Sequence, residues 1–152
     1  MDKKILISNT SVNTFYNQKK EYKQKYIDKV APPNKSSKNF SFGNSIHNSL
    51  KEFNLMNPEK QTLNVLERIL NKNWITEGYS STEEMLSNFV RAKEIISNYL
   101  ENRKDFGKTL ISEDMVYYKV NSSLTVCGKI DRVFINNEGK IELVDYKTGK
   151  IP

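Results

Sequence analysis

At 152 residues, with 37% hydrophobic residues and a mean hydropathy of −0.67, the chain is long enough for one domain with its own core, and its composition is polar without being that of a disordered segment. No apolar stretch approaches the ~20 residues of a membrane span, the apolar run in the opening MDKKILISNTSVN is too short for a secretory h-region, and a single cysteine, Cys127, excludes an internal disulfide and a four-cysteine cluster, so a cytosolic protein is the simplest reading. The net charge of +6 sits entirely in residues 1–60, which hold eleven Lys+Arg against five Asp+Glu, whereas residues 61–152 hold thirteen of each; such a localised excess favours polyanions through counterion release, and its plainer reading is lysine-rich coding with a solvated face.

Residues 10–29 read as a helix, with Val12, Phe15, Tyr16, Tyr22, Tyr26 and Ile27 at rough helical spacing and Thr10 or Ser11 as its N-cap. Pro32-Pro33 stops it within a loop over 31–40. Residues 41–55 follow as a helix with Phe42, Ile46, Leu50 and Phe53 as its apolar stripe. A third helix spans 59–73, with Leu63, Leu66, Ile69 and Leu70 on one face. Gly78 marks a break, and Ser81 opens a capping box with Glu84 for a helix that runs to about Asn102. After Gly107 the pattern changes to strands at 109–119, 124–135 and 141–147, joined by turns at 121–123 and at Asn136–Lys140 (NNEGK). The expected order is helices first, then an antiparallel three-stranded meander, with the helical part at 1–107 and the sheet at 108–152 of a single domain.

Asp131 and Asp145 stand about equally far from the NNEGK turn, five residues before Asn136 and five after Lys140, so a regular hairpin makes them cross-strand neighbours. Two carboxylates ~4 Å apart repel by roughly 4 kcal/mol at an effective dielectric of ~20, and such a pair must protonate or take up a cation. Hard oxygen ligands suit Mg²⁺ or Mn²⁺. Lys147, two residues from Asp145 and so on the same strand face, could polarise a water or hold a phosphate oxygen and stabilise developing charge. Spacing alone leaves a second reading equally open: a surface hairpin with Asp131–Arg132 and Asp145–Lys147 as exposed pairs. His47, the only histidine, lies beside the apolar stripe one turn after Gly43, which clears space on that face; a lone helical histidine is more often a boundary residue than a ligand. Lys19, Lys20, Lys23 and Lys25 interleave with Phe15, Tyr16, Tyr22 and Tyr26 and could contact a nucleic-acid backbone and its bases, the plainer alternative being wet lysines and core tyrosines.

Taken together, the segments SNTSVNTFYNQKKEYKQKYI, FGNSIHNSLKEF, GKIDRV and VDYKTGK, in that order, resemble the PD-(D/E)XK nuclease superfamily, specifically its RecB-type branch of recombination and CRISPR-adaptation nucleases. The resemblance covers most of the chain. It implies a restriction-endonuclease-like α/β fold and a metal-dependent DNA nuclease in repair, recombination or defence. Asp131 and Asp145 would be metal ligands with the Tyr146 carbonyl, His47 would be a further ligand, Lys147 the catalytic lysine, and Glu113 an acidic residue on the first strand. Lys19, Lys20, Lys23 and Tyr16 would contact DNA. The family's Cys-Pro is replaced by Asn17-Gln18, so no iron–sulfur cluster is expected. The family's Gln-x-x-x-Tyr helix and following strand lie beyond the signature, and Pro152 comes first, so the expectation is a truncated domain with a bare sheet face open to oligomerisation. A helicase or another nuclease subunit would be a partner. The competing expectation is a non-catalytic nucleic-acid-binding or assembly module that kept these residues; a plain structural domain is the third.

Overall fold

A computed structural model describes residues 5–30, 37–103 and 107–149. They form β1 (Ile5–Ser8), α1 (Asn9–Asn17), α2 (Lys19–Tyr22), a π-helical turn (Lys23–Ile27), α3 (Lys38–Asn54), a 3-10 turn (Pro58–Lys60), α4 (Leu63–Asn73), α5 (Thr82–Asn102), β2 (Lys108–Lys119), β3 (Leu124–Ile135) and β4 (Ile141–Val144). The four strands make one mixed sheet in which β3 is central: β2 lies beside it, β1 pairs with it in parallel, and β4 pairs with it antiparallel. This is an α/β architecture consistent with a restriction-endonuclease-like fold. The chain divides into two compact units, residues 1–34 with 115–129 and residues 35–114 with 130–152.

In the second unit the apolar stripes meet as the periodicity predicts. Phe42, Ile46, Leu50 and Phe53 of α3, Leu66, Ile69 and Leu70 of α4, and Ala92 and Ile96 of α5 form one buried cluster, edged by Trp74, Phe89, Tyr99 and Tyr146. Burying each large aliphatic or aromatic side chain contributes ~1.5–3 kcal/mol, which holds α3 in place as a rigid platform. A second face of α3 is lined by Ser41, Ser45 and Ser49, all fully buried. Ser45 and Ser49 turn their hydroxyls onto the carbonyls four residues back, at 2.8 and 2.6 Å, and Ser45 Oγ also accepts the Ile75 N–H at 2.9 Å. The Ser41 hydroxyl, by contrast, is buried without a hydrogen-bond partner among the described residues.

Helix starts follow their caps. Ser81 Oγ accepts the Glu84 N–H, but the Glu84 carboxylate goes to the Ser80 N–H and hydroxyl and to Lys38, not back to Ser81, so only half of the expected capping box forms. The Lys38 ammonium, then Ser80, hold Glu84 down to about 2. Asn136–Lys140 closes the β3–β4 hairpin, with Gly139 at φ +79° where a left-handed turn residue is required.

The first unit departs from expectation in three ways. Ile5–Ser8 is a strand that the sequence reading did not assign, with register Ile5↔Leu124 to Ser8↔Cys127. The cap of the first helix is Ser8, not Thr10 or Ser11: Ser8 and Ser11 exchange side-chain and backbone hydrogen bonds as a reciprocal box. The long helix is broken at Gln18, whose backbone leaves the helical region (φ −144°, ψ 64°). Pro32 and Pro33 lie outside the described residues.

Candidate metal centre

Three elements of the second unit converge on one point. Helix α3 supplies His47, β2 supplies Glu113 and β3 supplies Asp131, each with a ligand atom within 4.8 Å of the others. His47 Nδ1 lies 2.5 Å from Glu113 Oε1 and 3.6 Å from Asp131 Oδ1. The imidazole is thus clasped between two carboxylates, one of them almost fully buried. Its ring also meets Tyr146 edge-on, with centroids 5.9 Å apart.

Glu113 reaches this position from an unusual backbone. It has φ +52°, the left-handed region, in the middle of an otherwise extended strand. For a residue with a Cβ that conformation costs roughly 1–2 kcal/mol and persists only where the surroundings fix it. Here the Glu113 carbonyl accepts from Lys51 Nζ at 3.4 Å, one helical turn beyond His47 on α3, while its carboxylate faces His47.

Asp131 is positioned by the hairpin. The β3–β4 ladder runs from Ile135↔Ile141 to Arg132↔Val144 and stops one step short of Asp131 and Asp145. The ladder ends there, and the Tyr146 N–H donates instead to Asp131 Oδ2 at 2.6 Å. Burial raises the Asp131 carboxyl above the usual carboxylate range; the Tyr146 N–H and His47 oppose this, and the nearby Glu113 and Asp145 carboxylates add to it. A carboxylate that is desolvated and crowded by two others is stabilised by a cation.

The rest of the signature splits. Asp145 and Lys147 pair with each other at 2.6 Å and are well exposed, as the surface-hairpin reading had it. Arg132 does the opposite of what that reading expected. It is 2% exposed, donates to Thr109 Oγ1 (3.1 Å) and the Gly107 carbonyl (3.3 Å), and covers the Phe134 ring at 4.1 Å, so it is an internal strut and not the partner of Asp131. Gly43 faces Thr148, where an added Cβ would make an ordinary 3.6 Å contact, so the space beside it serves the signature segment and not His47. Lys19, Lys20, Lys23 and Tyr16 belong to the first unit.

Sequence reasoning missed the clamp on Tyr146. Asn54 Nδ2 donates to the Tyr146 hydroxyl at 3.0 Å, and the Tyr99 hydroxyl donates to Asn54 Oδ1 at 3.0 Å. Burial, then Tyr99, push the Tyr146 phenol far upward, so it stays protonated. The signal was weak: Asn54 sits next to the apolar-stripe residue Phe53, where a polar residue turned inward needs a partner. Tyr146→Phe removes the acceptor of one of these bonds and is expected to destabilise the fold by about 1–2 kcal/mol, read as a lower urea midpoint. An unchanged midpoint would show the hydroxyl to contribute nothing net.

A family model of the PD-(D/E)XK nuclease superfamily matches residues 6–152. The chain belongs to the PD-(D/E)XK nuclease superfamily. No curated protein matches it, and no solved structure does. PD-(D/E)XK proteins are hydrolytic nucleases that use divalent metals, and in this member one imidazole and two carboxylates form a donor set that fits such an ion. Among the described residues no helix is long and apolar enough to cross a membrane.

Proposed function

We propose that this PD-(D/E)XK chain is a Mg²⁺- or Mn²⁺-dependent DNA nuclease of the RecB type, acting in DNA repair, recombination or defence. The observation that carries this reading is the clasp of His47 between Glu113 and Asp131, with the Tyr146 N–H fixing the second carboxylate. A histidine contributed by the helix after Gly43 is what supports the RecB-type branch.

His47, Asp131 and Glu113 would hold the ion, and Asp145 and the Tyr146 carbonyl would be its further ligands. Bound there, the ion supplies Lewis acidity and a water of lowered pKa. Lys147 acts on the phosphate. Its ammonium is raised above its usual range by the hydrogen bond to Asp145 and then by that carboxylate's charge. An ammonium there suits a donor to a phosphate oxygen and a stabiliser of developing charge. The Asp145–Lys147 pair is exposed, so exchanging Asp145 for a phosphate oxygen requires little.

The test is Mn²⁺-dependent cleavage of single-stranded DNA by wild type, Asp145→Ala and Lys147→Ala. Lys147→Ala is expected to lower the rate by about 10²–10³-fold, the size of a lost charge-stabilising donor, without changing the melting temperature. Equal rates in all three proteins would sink the assignment. One observation favours a second reading, a binding module without catalysis: Asp145 stands outside the three-residue donor cluster and is tied to Lys147. That reading predicts salt-dependent DNA binding, no cleavage, and no heat on calorimetric Mn²⁺ titration.

A further inference from the structure

The first unit contains a hollow that the metal centre does not use. Ile7 of β1, Ser11, Val12, Phe15 and Tyr16 of α1, and Tyr22 of α2 line a cavity of about 260 Å³. That is just below the ~300–1,000 Å³ of sites for drug-sized ligands, and suits one flat ring system. Its aromatic wall is built edge to face: Phe15 lies 5.1 Å from Tyr22 at 77° and 5.7 Å from Tyr16 at 79°, and Tyr22 continues to Tyr26 at 5.0 Å. These rings are not core, contrary to the plainer reading of the sequence. Tyr16 is 74% exposed and Phe15 46%, and in residues 5–30 only Ser11 is buried. An aromatic cluster left open to water on a highly charged segment is a surface that meets a partner.

The chemistry of that partner follows from what lies around and beneath the rings. Lys19 and Lys20, both exposed, sit in the chain between Tyr16 and Tyr22, and Lys25 lies 5.4 Å from the Tyr26 ring centroid. The partner therefore carries negative charge beside a flat apolar group. Among the polar groups of the lining, the Ser11 hydroxyl is already committed: it donates to the Ser8 carbonyl at 2.8 Å and accepts the Ser8 N–H at 2.9 Å. The hollow thus offers ring faces for stacking, with the Tyr16 and Tyr22 hydroxyls as its other polar groups.

We propose that this hollow is a stacking pocket for one unpaired nucleobase of single-stranded DNA, with Phe15 and Tyr16 against the base and Lys19 and Lys20 on the flanking phosphates. The proposal rests on the DNA reading above and deepens it. Duplex bases are already stacked on each other, so the pocket discriminates for single strands, and stacking tolerates any base because every base has a π-face.

The test measures binding of the full chain by fluorescence anisotropy in EDTA, where cleavage plays no part. The probes are a labelled dT₁₂, the same strand carrying abasic sites, and a duplex. Tyr16→Ala, at an exposed position, is expected to weaken dT₁₂ binding about tenfold with the salt slope unchanged, while Tyr16→Trp retains it. Abasic substitution is expected to weaken wild type and to have no further effect on Tyr16→Ala. Lys19→Ala with Lys20→Ala should lower the salt slope on every probe. The pocket is overturned if wild type does not bind dT₁₂, if Tyr16→Ala binds it as wild type does, or if dT₁₂ and the abasic strand bind alike. Those failures leave calorimetric Mn²⁺ binding and Lys147-dependent cleavage untouched, so they are distinct from failure of the nuclease reading.

Discussion

Asp131→Asn is expected to abolish Mn²⁺ binding and nuclease activity while raising the melting temperature of the metal-free protein. The substitution keeps the shape and leaves an oxygen to accept the Tyr146 N–H, so what it removes is charge. That charge is unfavourable where it stands, because burial and the neighbouring carboxylates raise the Asp131 carboxyl. The sign follows from linkage: a carboxyl bound more tightly by protons in the folded state adds stability below the unfolded value of ~3.9, and that stability is lost as pH rises through the folded value. At neutral pH the ionised form is therefore a burden that asparagine relieves, and the advantage of the variant should fade as pH falls to about 4. Losing the metal's several kcal/mol of charge stabilisation lowers the rate by at least about 10³-fold. Calorimetry, a cleavage assay and a thermal melt at pH 7 and pH 4 measure all three effects. Wild-type Mn²⁺ affinity in the variant would remove Asp131 from the centre, and a lower melting temperature at pH 7 would refute the electrostatic account.

Phe53→Ala is expected to give the largest loss of stability. Phe53 is 0% exposed and lies in the cluster that joins α3, α4 and α5. Truncating a buried phenylalanine removes its transfer free energy and leaves a cavity that its neighbours fill only in part, about 3–5 kcal/mol in all. Total stability of a domain is about 5–15 kcal/mol, so this is a large share. Urea unfolding should show a lower midpoint with an unchanged slope. The consequence reaches the metal centre through chain geometry, because the same helix carries His47 and the adjacent Asn54 holds Tyr146. An unchanged midpoint would contradict the packing described above.

Much of this was legible in the sequence, for physical reasons that differ from place to place. Helices α3, α4 and α5 announced themselves because apolar residues at a 3.6-residue period must face a common core. The β3–β4 hairpin was legible from NNEGK, whose glycine takes the left-handed position. The likeness to a known nuclease pattern singled out His47, Glu113 and Asp131, which the fold brings together, and also Asp145 and Lys147, which stand outside that cluster as an exposed pair.

What stayed hidden depends on partners far along the chain. Strand β1 is four residues, ILIS, with no alternation; it is a strand because β3 offers a ladder edge. The break at Gln18 carries no glycine or proline to mark it. Arg132 looked like half of a surface pair because its type is usually wet, and it is Thr109 on β2 and Gly107 just before it that accept its hydrogen bonds inside. The left-handed backbone of Glu113 is equally invisible, since nothing about a glutamate in a strand asks for it.

The NNEGK turn is the ruler of the metal centre. Side chains on paired strands alternate faces with a period of two, and the turn alone decides which residue of β4 stands opposite which residue of β3. One residue more or fewer between Asn136 and Lys140 would shift β4 by a single step against Arg132–Ile135 and draw the Tyr146 N–H away from Asp131. A glycine-containing surface turn is normally where a chain best tolerates insertions. Here its length fixes the strand register, so a change of length is expected to disturb the candidate metal centre.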